Sequence, residues 1–310
     1  MVRLWRLLPF ALIALAAVLA AGCGGSQGAS QGAGAVALPV LDDLTPVADA
    51  TNKADSAKFE MTFSMEIPGF DAPFAFSADG AFDTPARQAE MTMDLGSFAK
   101  LMGGVAGALG SNAPDELTDA SKWKLEMRLD GTVAYMRMPF LASQLPSGKE
   151  WVQVDLTKAA ALQGVDLGEI QSFAKGSDPR ETLDYLRSIS GKLTRIGIED
   201  VRGVPTTHYF AAIDWQKALA RAAKESGQQG FLVQLQSMPT ALASIPVDVW
   251  VDADNLVRRM KMSFVFASPG QSPQAKAAME MELFDYGKPV TVQAPRASDV
   301  VDALALHARG

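Results

Sequence analysis

Cysteine and histidine are scarce in this 310-residue chain, which contains one Cys and two His. A single cysteine excludes a disulfide within the chain, and the two counts together exclude zinc sites built from several Cys and His ligands. Basic residues are also outnumbered, with 28 Lys and Arg against 35 Asp and Glu and a formal charge of −7. Nucleic-acid binding is therefore not expected, because phosphates require clustered cations.

Catalytic motifs are missing as well. His208 is the only histidine in the body of the chain, and a catalytic triad would need a Ser or Cys nucleophile and an orienting acid beside it. There is no Gly-x-Ser-x-Gly elbow and no phosphate-binding Gly-Lys-Ser/Thr sequence. We interpret His208 as a hydrogen-bonding residue of a polar face and 252–255 as a hairpin turn rather than a calcium loop. The sequence predicts no enzymatic activity, no cofactor and no metal site.

The first residues have the order of an export signal. Arg3 and Arg6 precede an apolar run over 7–21, which is short for a spanning helix of about 20 residues. The run closes with small residues immediately before Cys23, and this resembles the lipobox of bacterial lipoproteins. That resemblance implies cleavage after residue 22 and acylation of Cys23, which would anchor the protein in the cell membrane on its extracytoplasmic side. Ordinary signal cleavage, with Cys23 left free, is the alternative.

Composition divides the remaining chain in two. Gly, Ser, Gln and Ala dominate the start of 23–40, which we predict to be a flexible tether. No linker inside 41–310 is long enough to separate domains, so we predict one folded domain there.

Alternation of apolar and polar residues predicts a sheet. From Phe59 to Ile67 the odd positions are apolar and the even positions polar, which places every apolar side chain on one face of a strand. Similar runs predict further strands at 74–82, 89–95, 123–129, 133–138, 151–156, 192–198, 206–213, 247–251, 256–266, 277–286 and 290–292. We interpret these runs as about ten strands, most of them one-sided, which favours an antiparallel sheet with one wet face. Accumulated twist would curl such a sheet into a half-barrel, and a bulge is expected at Gly80.

Helical patterns interrupt these strands and give the fold an α+β class. Apolar spacing and capping residues predict helices at 98–109, 166–173, 178–191, 215–224, 231–243 and 298–307. Glycines weaken the first of these helices, and Pro239 breaks or kinks the helix at 231–243. We therefore expect these two segments to form a movable lid. The lid candidates are Phe98, Leu101, Met102, Val105, Phe231 and Leu235.

Methionine is the most informative residue of the predicted sheet. The chain has 14 methionines, and most of them fall on predicted strands. Methionine repacks around irregular shapes, so a wall of Met and Phe suits a site for long, variable apolar chains. The alternative is that these side chains form an ordinary core under the helices. The cavity candidates are Phe59, Met61, Phe63, Met65, Phe74, Phe76, Met91, Met93, Leu125, Met127, Met260, Met262, Phe264, Met279 and Met281.

Several stretches resemble a known family. The sequence Val-Arg-Gly-Val-Pro-Thr-Thr-His-Tyr over 201–209, and Pro-Val-Asp-Val-Trp-Val-Asp over 246–252, resemble actinobacterial lipoproteins of the LppX/LprG type. That type belongs to the wider LolA/LolB-like class of lipoprotein carriers. The resemblance implies a curved antiparallel sheet with helices over its concave face and an apolar cavity that holds acyl chains. It identifies no particular lipid.

Two functions follow from these observations. The first is a membrane-anchored envelope lipoprotein that binds the acyl chains of a lipid or glycolipid and carries or presents it. The second is a structural or regulatory envelope lipoprotein with a filled core that binds a protein partner. Basic clusters at 258–261 and 217–224 would either meet anionic headgroups or be ordinary surface charge.

Overall fold

The structure is a computed structural model that describes residues 38, 41–66, 68, 73–100, 118–158, 186, 193–214, 244–266 and 275–303. The predicted signal peptide, Cys23 and most of the predicted tether lie outside the described residues. The same is true of most of the predicted helices, and of five lid candidates: Leu101, Met102, Val105, Phe231 and Leu235.

One open, curved sheet of twelve strands organises the described residues. In chain order, helix α1 (Thr45–Asn52) precedes β1 (Ser56–Glu66), β2 (Phe74–Asp83), β3 (Gln88–Asp94), β4 (Lys124–Asp130), β5 (Val133–Arg137), β6 (Trp151–Asp155), β7 (Thr194–Val201), β8 (Val204–Asp214), β9 (Ser244–Val251), β10 (Val257–Phe266), β11 (Ala275–Phe284) and β12 (Val300–Asp302). Short 3-10 helices occur at Ala120–Lys122, Pro139–Gln144 and Ala297–Asp299. This is the α+β half-barrel that alternation predicted, with twelve strands instead of about ten.

Neighbouring strands follow the order β12-β6-β5-β4-β3-β2-β1-β11-β10-β9-β8-β7. Ten of the eleven neighbouring pairs are antiparallel, and β12 runs parallel to β6. In the middle of the sheet β1 pairs with β11, which lies near the other end of the sequence. Contacts between distant parts of the sequence therefore hold the sheet together.

The C-terminal part of the described chain corrects two predictions. The helix predicted at 298–307 is wrong over β12, where Val300 and Val301 pair with Trp151 and Val152. The predicted strand at 290–292 is also wrong, because no strand covers those residues. Val300 and Val301 are β-branched and fit a pleated surface well. The local pattern fits a helix as well as a strand, and pairing with the edge of β6 stabilises the strand.

Helix α1 covers one end of the sheet and was not predicted. Leu44, Val47 and Ala48 are buried in the same apolar cluster as the strand side chains. The hydroxyl of Thr51 accepts a hydrogen bond of 3.0 Å from the backbone N–H of Val257, which begins β10. Eight residues are too few for a clear helical period, so packing against the sheet stabilises this helix.

Gly80 has a different role from the predicted bulge. The β1–β2 and β2–β3 registers run through it without a shift. A Cβ atom added at Gly80 would lie 2.3 Å from the carbonyl oxygen of Glu90 and 2.7 Å from the Phe59 ring. Glycine therefore leaves the space that the Phe59 ring occupies on the neighbouring strand.

We predict that Gly80→Ala destabilises the protein by about 1–3 kcal/mol, because the added methyl group overpacks the site and displaces Phe59. Gly197→Ala is the matched control, since a Cβ atom there meets nothing within 4 Å. Urea unfolding of both variants measures the difference. Equal unfolding midpoints for the two variants would contradict this account of Gly80.

Candidate functional site

The strand registers place all fifteen cavity candidates on one side of the sheet, which we call the inner face. Met61 lies opposite Met281 and Ala78, and these lie opposite Met260 and Met93 in turn. Directly opposite residues of an antiparallel pair share a face, so the rows of Met and Phe run continuously across the strands. Which of these residues contact a ligand stays a prediction.

Burial divides the fifteen candidates into two groups. Seven are buried in the core: Phe59, Met91, Leu125, Met127, Met260, Met262 and Met281. The other eight are half-buried, and we call them the open patch: Met61, Phe63, Met65, Phe74, Phe76, Met93, Phe264 and Met279. The open patch centres on the end of β1, the start of β2, the end of β10 and the start of β11. The inner face is thus buried at the α1 end and half-buried toward the other end.

Aromatic rings form one side of the open patch. Phe63 stacks on Phe76 with ring centroids 5.1 Å apart, and Phe74 lies edge-on to Phe63 at 6.3 Å. Phe98 then meets Phe74 at 5.9 Å and Trp123 at 5.0 Å, both edge-on. Phe98 is the one lid candidate among the described residues, and it lies against the patch.

The helical turn that carries Phe98, residues 96–100, is attached to β2. The hydroxyl of Ser97 donates a hydrogen bond to the carbonyl oxygen of Ala75 and accepts one of 2.9 Å from its backbone N–H. These two hydrogen bonds to the backbone of Ala75 fix the start of the predicted lid beside Phe74. Ala99, in the same turn, is fully buried.

The opposite side of the sheet, the outer face, is lined with charges. Glu282 accepts hydrogen bonds from Arg202 at 2.5 Å and from Arg259 at 2.7 Å, and Arg202 also pairs with Glu60 at 2.5 Å. Lys261 pairs with Glu280 at 3.2 Å. Glu280 and Glu282 lie on the face opposite the methionines of β11, and the cations at 259 and 261 have carboxylate partners.

Ion pairing lowers the pKa of Glu282. Its side chain is only 14% exposed, and burial by itself raises the pKa. Hydrogen bonds and charge from Arg202 and Arg259 outweigh that effect, so the pKa lies below its ordinary value of 4.5.

His208 joins three strands on the outer face. Its Nδ1 lies 2.8 Å from a Glu199 oxygen on β7, and its Nε2 lies 2.8 Å from Asp248 on β9. The ring stacks on Trp250 at 4.1 Å, and the Trp250 indole donates a 2.7 Å hydrogen bond to Glu199. Bonds from Trp250 and His208 lower the pKa of Glu199. The polar-face interpretation of His208 is confirmed, but sequence alone gave no sign of its stacking on Trp250.

The segment 252–255 forms the β9–β10 turn, as predicted. The Asp252 carboxylate accepts 2.9 Å hydrogen bonds from the backbone N–H groups of Asp254 and Leu256, and a 2.6 Å bond from Arg258. Asn255 adopts a positive φ of 59° at the turn. Asp252 therefore stabilises the hairpin. Among the described residues, no group of three or more His, Cys, Asp and Glu side chains is placed to hold a metal ion.

Comparison with known proteins finds distant similarities. No family model matches it. It is 27% identical over 163 residues to an uncharacterized 31.2 kDa protein encoded in the rplA–rplJ intergenic region of Streptomyces griseus. That match covers 53% of this chain and spans about half, 51%, of the relative's length.

Similar solved structures include the Mycobacterium tuberculosis lipoprotein LppX, at 13% identity and a TM-score of 0.40, covering 80% of this chain and 94% of that one. LprF from Mycobacterium bovis is 15% identical with a TM-score of 0.39, covering 81% and 94%. A LolA superfamily protein from Nitrosomonas europaea is 9% identical with a TM-score of 0.24, covering 79% and 95%. These solved structures bear the names of the LppX/LprG type and the LolA class that the sequence resembles.

None of the helices in the described part of the chain combines the length and the hydropathy that crossing a membrane requires.

We predict that Glu282→Gln lowers the free energy of unfolding at neutral pH by about 1.5–3 kcal/mol, the range for hydrogen bonds to a charged group. Because the folded-state pKa is depressed, the stabilisation from Glu282 is complete above about pH 4.5 and disappears as the pH falls through the folded-state pKa. The difference between wild type and variant should therefore shrink on acidification. Chemical denaturation between pH 3 and pH 7 measures it.

Glu90→Gln on the exposed side of β3 is the matched control and should leave the pH profile of stability nearly unchanged. A Glu282→Gln profile parallel to wild type at all pH values would show that Glu282 is not stabilised by its arginine partners.

Proposed function

We propose that this protein is a membrane-anchored envelope lipoprotein that binds the acyl chains of a lipid or glycolipid at the open patch and carries or presents that lipid. One observation carries the proposal. Eight Phe and Met side chains stay half-buried at one end of an inner face whose other end is sealed. Apolar side chains left half-buried beside a completed core support a binding site for an apolar ligand.

The chemistry of the inner face favours hydrocarbon as the ligand. On β1, β2, β3, β10 and β11, the paired inner positions from 57 to 283 are apolar or glycine. Apart from Arg258, at the register shift of β10, the charged residues of these strands lie on the outer face. Burying each methylene contributes about 0.8 kcal/mol, so a chain of several methylenes binds without any polar contact. Binding by exclusion of water requires no covalent step, and we propose no enzymatic activity.

The side-chain types suit a ligand of variable shape. Methionine has three rotatable bonds and a polarizable sulfur, and it adapts to different chains. Met61, Met93 and Met279 are half-buried next to the rigid aromatic group of Phe63 and Phe76. A patch with one rigid and one adaptable side would accept acyl chains that differ in length or branching.

The described part of the folded domain begins at residue 41, just before α1 at the buried end of the inner face. The backbone N–H of Leu41, where the folded domain begins, donates a 3.2 Å hydrogen bond to the Tyr209 hydroxyl. The segment 23–40 would connect this point to an acylated Cys23 over roughly 20 Å. We propose on this basis an extracytoplasmic protein held at the cell membrane by its lipid.

The buried group of cavity candidates supports a second function. Met127, Met260 and Met281 are fully buried, and α1 fills the adjoining end of the inner face. A domain with a filled interior would act as a structural or regulatory envelope lipoprotein, and its open patch would bind a protein partner.

We predict that lipid co-purifies with the protein and that Met93→Asp and Met279→Asp each reduce bound lipid about tenfold. A carboxylate at either half-buried position would forfeit contacts with about two methylenes, and 1.4 kcal/mol corresponds to a factor of ten. Native mass spectrometry, with solvent extraction of the same samples, measures the bound lipid.

Ser263→Asp is the matched control, because it places the same carboxylate on β10 between Met262 and Phe264 but at an exposed outer position. It should retain wild-type lipid. A bare polypeptide mass for the wild-type protein would reject the carrier function and favour the second one.

A further inference from the structure

The open patch ends between two neighbouring rows of the inner face. Met61 on β1 and Met93 on β3 lie in one row, two strands apart, and both are half-buried. In the next row toward α1, Phe59 is only 3% exposed and Met91 only 7%, and Gly80 of β2 lies between them. The change from half-buried to buried therefore happens over one step along each of these strands.

A single aromatic ring fills two positions of the buried row. Gly80 has no side chain, and a Cβ atom in its place would lie 2.7 Å from Cζ and 2.8 Å from Cε1 of Phe59. The far edge of the Phe59 ring thus occupies the space that a side chain of β2 would otherwise take. Beyond Met61, this ring closes the inner face between β1 and β2.

The surroundings of the ring are apolar and packed. Phe59 lies opposite Leu283 on its other side, and it belongs to the same buried cluster as Leu283 and Val47 of α1. A close-packed interior admits a further methylene only if a side chain moves aside. An acyl chain that lies along β1 from the open patch therefore meets a steric limit at Phe59.

We propose that Phe59, lying across Gly80, sets the length of acyl chain that the open patch accepts. This inference rests on the proposed lipid binding and specifies its ligand. A chain that ends at the ring is buried over its whole length, whereas the extra methylenes of a longer chain stay in water. A charged headgroup keeps the other end of the chain in water, because burying an unpaired charge is costly. Chain length therefore measures the depth of the patch.

Fatty acids of graded length test this limit. The full-length protein is freed of bound lipid in mild detergent and offered an equimolar mixture of laurate, palmitate and arachidate. Native mass spectrometry measures the ratio of bound arachidate to bound palmitate. Phe59→Leu removes the ring from Gly80 and leaves an apolar recess, which stays dry and takes up hydrocarbon. The ratio should rise on the order of fourfold for each further methylene that is buried.

Phe82→Leu is the matched control. Phe82 is also a buried phenylalanine of the inner face, one row closer to α1 and opposite Ala57. Its substitution loosens the core but leaves the Phe59 ring in place, so the ratio should equal that of wild type. Phe59→Met is a second test variant, because methionine fills irregular core space and places no ring over Gly80. It should raise the ratio even if Phe59→Leu folds poorly, and circular dichroism establishes which variants are folded.

The results separate the role of Phe59 from the function on which it rests. A wild-type protein that binds none of the three fatty acids would reject lipid binding, and the role of Phe59 with it. Wild-type binding with an unchanged ratio in the folded Phe59 variants would overturn the role of Phe59 alone. An equal rise in Phe82→Leu would also overturn it, because loosening of the core anywhere would then have the same effect.

Discussion

The strand register across β1, β2, β10 and β11 is the constraint on which the rest of the structure depends. Side chains alternate with a period of two, so a slip of one residue would move the methionines of these strands to water and their carboxylates to the core. Both faces resist that slip. Met61 and Phe63 pack in rows on the inner face, and Glu282 binds Arg202 and Arg259 on the outer face.

A one-sided sheet must cover its apolar face, and this molecule covers only part of it with described residues. Val47 of α1 and the preceding Leu44 seal one end, and the strand side chains there are buried. At the other end, Phe98 reaches the aromatic group from a turn that Ser97 attaches to β2. The difference in burial between the two ends, rather than any reactive group, distinguishes the proposed binding site from the core.

Alternation predicted most of the sheet because one-sided burial leaves a strong local signal. It predicted that Met93 and Met262 share a face, but not that Met262 is buried while Met93 is half-buried, because that depends on distant packing. β12 was missed for a related reason: the edge of β6, some 150 residues earlier, determines it. Gly80 was misinterpreted because the requirement for glycine comes from the Phe59 ring on another strand.

The two ends of the strand order differ. The short parallel strand β12 covers the edge of β6, whereas no described strand lies beyond β7. β10, the nearest strand of the open patch, lies three strands inward from β7, or about 14 Å at the usual strand spacing. The intervening strands β8 and β9 are joined on the outer face, where His208 bonds Asp248 and stacks on Trp250. A change at the β7 edge would therefore reach the patch only through strands that these contacts hold together.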